Sequence, residues 1–440
     1  MGAPRNNPRR TTKDHNARDA KRDKKKSAQT SSRRQPSSSN TPEEPDSEID
    51  LSATIPLTLQ QLLLNVFKTG LLSTDGDGWR QEHSPDSHVA THPPLDIKSL
   101  IQTIKSHLYN RDFDSAFTDA SDDLLCAYAL RWSAARALGY AGVFKAVMQA
   151  VPSADSSPQH IACIGGGAGA EIVALAAVWR DAMDEARLSA RLADVSLQEE
   201  TGADAAADAT PTSAATAGPS TVTVTAVDIA DWSRVVDRLA FAIRSADVQA
   251  SKTHPAPLYR RTSQELGGGA GGGDDEGDFS VRFRRADVLS VSDEELKSVL
   301  RVEGAATAMV TLMFTLNELF STSMAKATGF LLRMTDLLEA GTLLLVVDSP
   351  GSYSTLKLGK GKVQGEGETT ESAVQERKYP MKFLLDHSLL SVASGKWEKV
   401  LSQDSRWWRR EAARLRYDVG EGAGLEDMRF QVHIYRRIDG

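Results

Sequence analysis

The sequence predicts an α/β domain built on one mostly parallel sheet of seven strands. From Gln159 onward, short apolar runs alternate with helical stretches, the pattern of parallel strands joined by crossover helices. A glycine-rich turn, Gly165 to Gly169, follows the first of these runs directly. The last two runs lie close together with no helical stretch between them, so the sheet is expected to end in an antiparallel pair.

Taken in chain order, residues 1–52 show no hydrophobic periodicity and are rich in Ser, Pro, Arg and Lys, which predicts a disordered basic tail. Twelve Lys or Arg against three Asp give residues 1–36 a net charge of +9, while 40 basic against 56 acidic residues give the remainder -16. The run Lys21 to Lys26 with Arg33 and Arg34 suits phosphate contact or a nuclear address, and a solvated tail without a partner is the plain alternative. A helical region is expected over 53–152. Leu59, Leu62, Leu63, Val66 and Phe67 share one helical face, and Ile97, Leu100, Ile101, Ile104 and Leu108 share another, with a loop over 73–94 between them. Asp122 to Ala150, rich in Ala, Leu and aromatics, reads as one or two helices packed on the domain that follows.

That domain spans 153–440. Its strands are expected at Ile161–Ile164, Val222–Val227, Val281–Arg285, Ala308–Phe314, Thr342–Val347, Trp397–Leu401 and Arg429–Tyr435. Low-complexity insertions at 201–220, 264–278 and 359–376 fall between these elements and are assigned no chemistry, since closure entropy grows only slowly with loop length.

Composition narrows the function classes. With 40% hydrophobic and 25% charged residues the chain can bury a core, yet its longest apolar runs, such as Leu343 to Val347, fall far short of the ~20 residues of a spanning helix. Charge rather than an apolar signal core follows Met1, so a soluble intracellular protein is expected. Cys126 and Cys163 are too few for a disulfide framework or a zinc site, and no metal is expected.

The chemistry-bearing residues cluster where strands should end. In H-I-A-C-I-G-G-G-A-G-A-E, His160 to Glu171, glycines 165, 166, 167 and 169 allow a sharp turn and a close approach of backbone amides to a ligand. The same stretch fits G-x-G-x-x-A, so a dinucleotide pyrophosphate is a rival, and a ligand-free strand-to-helix turn is the bland reading. Asp228 ends the second strand, where a carboxylate can accept both ribose hydroxyls of an adenosine, whether of NAD or of S-adenosylmethionine. Just beyond it, Ile229 and Trp232 can cover an adenine face, and Trp232 equally suits the core of the next helix. After the third strand, Asp287 can meet an adenine amino group while Val288 offers its amide, or Asp287 can cap the following helix. Phe314, Asn317 and Glu318 emerge at the carboxyl edge of the fourth strand, where ligands bind in open α/β sheets, although Asn317 and Glu318 can also simply start a helix. Asp348 to Tyr353, D-S-P-G-S-Y, forms a further loop at the same edge.

Together these segments resemble the fungal 25S ribosomal RNA uridine-N3 methyltransferase family. The likeness is carried by A-Y-A-L-R-W-S-A-A-R-A-L at Ala127–Leu138, C-I-G-G-G-A-G-A-E at Cys163–Glu171, A-V-D-I-A-D-W at Ala226–Trp232, T-L-N-E-L-F at Thr315–Phe320 and D-S-P-G-S-Y at Asp348–Tyr353. It implies a Rossmann-like class I fold over 153–440, S-adenosylmethionine as cofactor, and methyl transfer to N3 of a uridine in large-subunit rRNA. Glu171 joins the cofactor set on this reading. Loss of the imide proton calls for a base, for which Glu318 and Asp348 are the candidates. Neither cysteine is placed as the nucleophile that carbon-5 methylation needs, and the N/D-P-P-Y/F tetrapeptide of many exocyclic-amine methyltransferases is missing, which leaves ring nitrogen or oxygen targets. RNA contacts are expected from Arg131, Trp132, Tyr353 and the patch Arg406, Trp407, Trp408 and Arg409, where aromatics interleave with cations; a core tryptophan among solvated arginines is the alternative. Ribosomal RNA or a pre-ribosomal particle is the expected partner, in the nucleus or nucleolus, with the cytoplasm as a second compartment. The competing readings are a methyltransferase of protein or small molecules, an NAD-dependent oxidoreductase, and a catalytically silent RNA-binding protein of the same fold.

Overall fold

The computed structural model describes residues 49–72, 95–150, 158–200, 221–259, 279–351, 353–357, 376–411 and 413–439. The tail as far as residue 48, the loop over 73–94, the insertions at 201–220 and 264–278, and that at 359–376 as far as residue 375 lie outside the described residues.

Seven strands form the main sheet: β1 (Gln159–Ile164), β2 (Val222–Asp228), β3 (Phe279–Arg285), β4 (Ala306–Met313), β5 (Leu343–Asp348), β8 (Trp397–Trp408) and β9 (Met428–Arg437). Between β5 and β8, β6 (Tyr353–Lys357) and β7 (Glu376–Pro380) pair antiparallel in a separate two-stranded ladder. The order in the main sheet is β3-β2-β1-β4-β5-β9-β8. The first five strands are parallel, and β9 runs antiparallel to both β5 and β8. Strand order reverses between β1 and β4, which opens a crevice at their carboxyl ends.

The central strands are covered on both faces. Ile161 and Cys163 of β1 enter one buried apolar cluster, whereas Ala162 and Ile164 enter the other, as the two-residue period of a strand requires. The first cluster packs under α1 (Leu57–Leu72), α2 (Ile97–Tyr109), α3 (Asp122–Tyr128), α4 (Ala134–Ala150), α5 (Ala170–Glu200) and α6 (Ser233–Arg244). Beneath the second lie α7 (Asp293–Leu300), α8 (Leu316–Thr322), α9 (Met324–Leu337) and α10 (Met381–Asp386). Local signals set several helix starts: Asp96 accepts from Ser99 N, Ser121 from Leu124 N, and Ser292 with Glu295 forms a capping box on α7.

Two sequence expectations shift, and a third is made definite. The stretch from Asp122 to Ala150 is two helices joined by a π-helical turn at Ala129–Ser133, which buries Ala129, Leu130, Arg131 and Ser133. Glu376, read as the end of an insertion, begins β7. Strand β8 continues past Leu401 to Trp408, because register shifts near Lys399/Leu401 and Gln403/Arg406 break the alternation that would have revealed it. Arg406, Trp407 and Trp408 therefore lie on a strand, with Arg409 just past its end.

Candidate functional site

At the crevice, β1 runs into the glycine turn and α5. Gly165 and Gly169 adopt φ of +77° and +80°, which L side chains rarely accept. Close approach explains the rest: a β-carbon on Gly165 would strike Thr315, one on Gly166 would lie 2.7 Å from Cys163 Cβ, and one on Gly167 would strike Trp232 and come within 2.8 Å of Asp228 Cβ. The amides of glycines 165, 166, 167 and 169 donate to Val227 O, Cys163 O, Asp228 Oδ2 and Gly166 O. These four amides are thus spent inside the protein, and the room left by the missing β-carbons is filled by its own side chains. That departs from the sequence expectation of amides turned toward a ligand.

Asp228 stands at the tip of β2, its two oxygens accepting from Gly167 N and Ala230 N, both at 3.2 Å. Burial pushes its carboxyl up to about 6, against the pull of those amides. Ile229 beside it is exposed, 51%, an unusual place for an apolar side chain flanking a buried carboxylate. Trp232 is not available to a ligand. It is 2% exposed, backs Gly167, and packs against Tyr128 and Phe117 at ring separations of 5.6 and 6.2 Å, so of its two sequence readings the core one holds.

Glu171, in the first turn of α5, is 3% exposed, and its Oε1 has no hydrogen-bond partner. Burial raises its carboxyl to about 8; Asp228 adds to the rise and Arg136 opposes it. The native chain therefore keeps this proton until about pH 8 while the unfolded chain releases it near 4.5, so stability falls as pH rises across that window. In thermal melts of the ligand-free protein, Glu171→Gln is expected to lose about 3 kcal/mol less than the parent between pH 5 and 8. Equal slopes would show that this buried carboxyl is not the titrating group.

Strand β4 ends at Met313, and Phe314 turns out of it with φ +58°, held by its amide donating to Val347 O at 2.7 Å. A non-glycine residue held there costs about 1–3 kcal/mol, a strain found most often at functional sites. Its ring stacks at 6.5 Å on the buried Tyr140 and lies 4.9 Å from the Arg136 guanidinium. Asp348, at the tip of β5, is 3% exposed and accepts from Asn317 N at 3.0 Å and Ser349 N at 2.7 Å. It supplies the cap that Thr315 does not give α8. Burial lifts its carboxyl to about 6, and the neighbouring Glu318 adds to the rise. Asn317 Oδ1 is buried without a partner, whereas Glu318 is exposed.

The other sequence candidates divide. Asp287 accepts from Leu289 N and Ser290 Oγ and so holds its own turn, while Ser292 caps the next helix; Val288 is buried, with its carbonyl taken by Arg333. Arg131 is 7% exposed, paired with Glu426 and bonded to Gly424 O, which ties the π-helical turn to the chain before β9. A guanidinium buried and paired in this way does not present its charge to a phosphate, which corrects its reading as an RNA contact. Trp132 is half-buried against Tyr128 at 4.9 Å. Arg406 donates to Leu51 O, and Trp408 is half-buried next to Gly139. Trp407 is 50% exposed between Arg409, 4.0 Å from its ring, and Arg429, 5.8 Å away. Tyr353 is exposed at the start of β6.

Sequence reasoning passed over Arg136. It lies half-buried on α4, donates to Tyr128 Oη at 2.9 Å, and is electrostatically coupled to Glu171 and Asp348. The signal was present: it is the one cation in the apolar stretch Ala134 to Leu138.

The arrangement suits a nucleoside ligand carrying positive charge. A diphosphate would find the four glycine amides engaged and two buried acidic groups, Asp228 and Glu171, around the start of α5. A cation would instead favour their ionised forms. Burial also pushes the Cys126 thiol up to about 11 and raises that of Cys163, so neither acts as a nucleophile. Among the described residues no cluster of His, Cys, Asp or Glu could hold a metal, and no helix is long and apolar enough to cross a membrane.

Residues 81–436 match the family model described as "Putative SAM-dependent methyltransferase". The chain is 30% identical over 351 residues to a Saccharomyces cerevisiae protein named 25S rRNA (uridine(2843)-N(3))-methyltransferase, covering 77% of this chain and 78% of that one. Similar solved structures include an S-adenosylmethionine-dependent methyltransferase from Clostridium acetobutylicum, 8% identical, covering 77% of this chain and all of that one with a TM-score of 0.30. Another, from Methanosarcina mazei, is 10% identical, covering 67% of this chain and 98% of that one with a TM-score of 0.29. The fold itself is carried by the strand order.

Proposed function

The chain belongs to the family of S-adenosylmethionine-dependent methyltransferases whose model it matches, and from that premise we propose that it methylates N3 of a uridine in large-subunit (25S) ribosomal RNA. The observation that carries this choice of substrate is the similarity to the yeast enzyme over most of both chains. The crevice fits the cofactor through its chemistry: the Asp228 carboxyl at the tip of β2, and a buried Glu171 oxygen without a partner. When bound, S-adenosylmethionine supplies an electrophilic methyl group on a sulfonium.

Asp228 accepts the ribose hydroxyls on the lone pairs that Gly167 and Ala230 leave free, and Ile229 lies along the adenine. Asp287 and Val288 border the adenine edge through the turn that Asp287 holds. Asp348 takes the imide proton from uridine N3, leaving a ring nitrogen able to attack the methyl in line, and the aromatic wall of Phe314 and Tyr140 keeps water from the crevice. Glu318, exposed beside it, tunes that base through its charge. Asn317 donates its amide to Asp348 and so orients it.

RNA approaches across the exposed Tyr353 and the Trp407 face, with Arg409 and Arg429 beside the ring and the basic segment 1–36 supplying sequence-independent attraction. Trp407→Ala is expected to weaken binding of a uridine-containing single-stranded RNA by about 1–3 kcal/mol in fluorescence anisotropy, leaving cofactor affinity unchanged. No change in anisotropy would remove this face from the RNA path. The partner on this reading is ribosomal RNA within a pre-ribosomal particle, met in the nucleus or nucleolus, with the cytoplasm as a second compartment.

The test in cells is to map modified uridines in rRNA after deletion of the gene. One N3-methyluridine, visible as a reverse-transcription stop because the methyl blocks the pairing edge, should disappear. If every such mark survives, the proposed substrate is wrong.

A further inference from the structure

We propose that Arg136 and Glu171 form a clamp for an α-amino-acid zwitterion, the guanidinium taking its carboxylate and Glu171 its ammonium. The proposal rests on the cofactor reading above and deepens it, because it names what holds the methionyl end of the ligand.

The first observation is a cation without a counter-ion. Among the described residues Arg136 makes no salt bridge, and its hydrogen bond goes to the neutral phenol of Tyr128. The rings of Phe314 and Tyr128, 4.9 and 5.9 Å from its guanidinium carbon, hold the plane without satisfying its remaining N–H groups. A planar guanidinium oriented in this way matches a carboxylate in two-point contact.

The second observation is a carboxyl without a partner, on the helix packed against it. Glu171 is 3% exposed with Oε1 unsatisfied, and it feels the Arg136 charge without touching it. The same two helices, α4 and α5, close a cation-carboxylate pair elsewhere, with Lys145 Nζ 2.7 Å from Asp181 Oδ2. Burial keeps Glu171 protonated in the ligand-free protein, so Arg136 has no anionic partner there. A ligand negative at one end and positive at the other supplies each with a partner, its ammonium drawing Glu171 into the ionised form. Phe314, strained at φ +58° beside the guanidinium, belongs to the same arrangement.

The experiment compares two ligands by calorimetry. S-adenosylhomocysteine carries the amino-acid end, whereas 5′-methylthioadenosine keeps the nucleoside and lacks that end. In Arg136→Met, S-adenosylhomocysteine should bind about 10- to 100-fold more weakly, the loss of one charged hydrogen-bonded contact, while 5′-methylthioadenosine stays within about threefold of the parent. Arg136→Lys should recover part of the difference, and Glu171→Gln should show the same ligand selectivity. An unchanged ratio of the two affinities in Arg136→Met overturns the clamp, and so does an equal loss of both, which would make Arg136 a packing residue. If the parent protein binds neither ligand, the cofactor reading itself fails, an outcome distinct from either.

Discussion

Asp348→Asn should lower the methyl-transfer rate by about 10²- to 10⁴-fold, the usual contribution of a positioned base, while S-adenosylhomocysteine affinity stays within about threefold. Asparagine keeps the shape and one carbonyl oxygen to accept from Asn317 N, so the start of α8 survives. What it loses is the negative charge that burial holds near a pKa of about 6. A base must be ionised to work, so activity of the parent should rise with pH through about 6 and then level, and the variant should lack that rise. If the variant retains the parent's rate and pH profile, Asp348 is only the cap of α8 and the base lies elsewhere.

Gly167→Val should abolish S-adenosylhomocysteine binding at ligand concentrations about 100-fold above the parent dissociation constant. A β-carbon there would meet the Trp232 ring and press on Asp228 Cβ at 2.8 Å. Trp232 cannot retreat, being 2% exposed and wedged between Tyr128 and Phe117, so the added side chain displaces the loop or Asp228. Either movement spoils the seat of the ribose. Gly329→Ala is the control, since nothing lies within 4 Å of a β-carbon at that position, and it should bind as the parent does. Parent-like binding by Gly167→Val would place the ligand outside this crevice.

The sheet was legible in the sequence because its central strands are buried on both faces and read as unbroken apolar runs, from Ile161–Ile164 to Leu343–Val347. The ladder of β6 and β7 was not, since Y-S-T-L-K and E-R-K-Y-P lack the apolar alternation of a half-buried strand and flank a Gly/Glu/Lys stretch. At the site, residues at strand ends could be named from position alone, as with Asp228 and Asp348. Roles set by partners far along the chain could not. Arg131 is held by Gly424 and Glu426, and Trp232 packs on Phe117 and Tyr128, contacts that no local spacing announces. Arg136 shows the limit most clearly, because an arginine in an apolar helix signals that something must pair with it but does not say what.

The most direct measurement supplies the protein with S-adenosylmethionine labelled in its methyl group and an unmodified large-subunit rRNA transcript, then digests the RNA to nucleosides. Label is expected in 3-methyluridine alone, and Gly167→Val should abolish it. Label in another nucleoside, or none from a protein that demonstrably binds both partners, would contradict the proposed function.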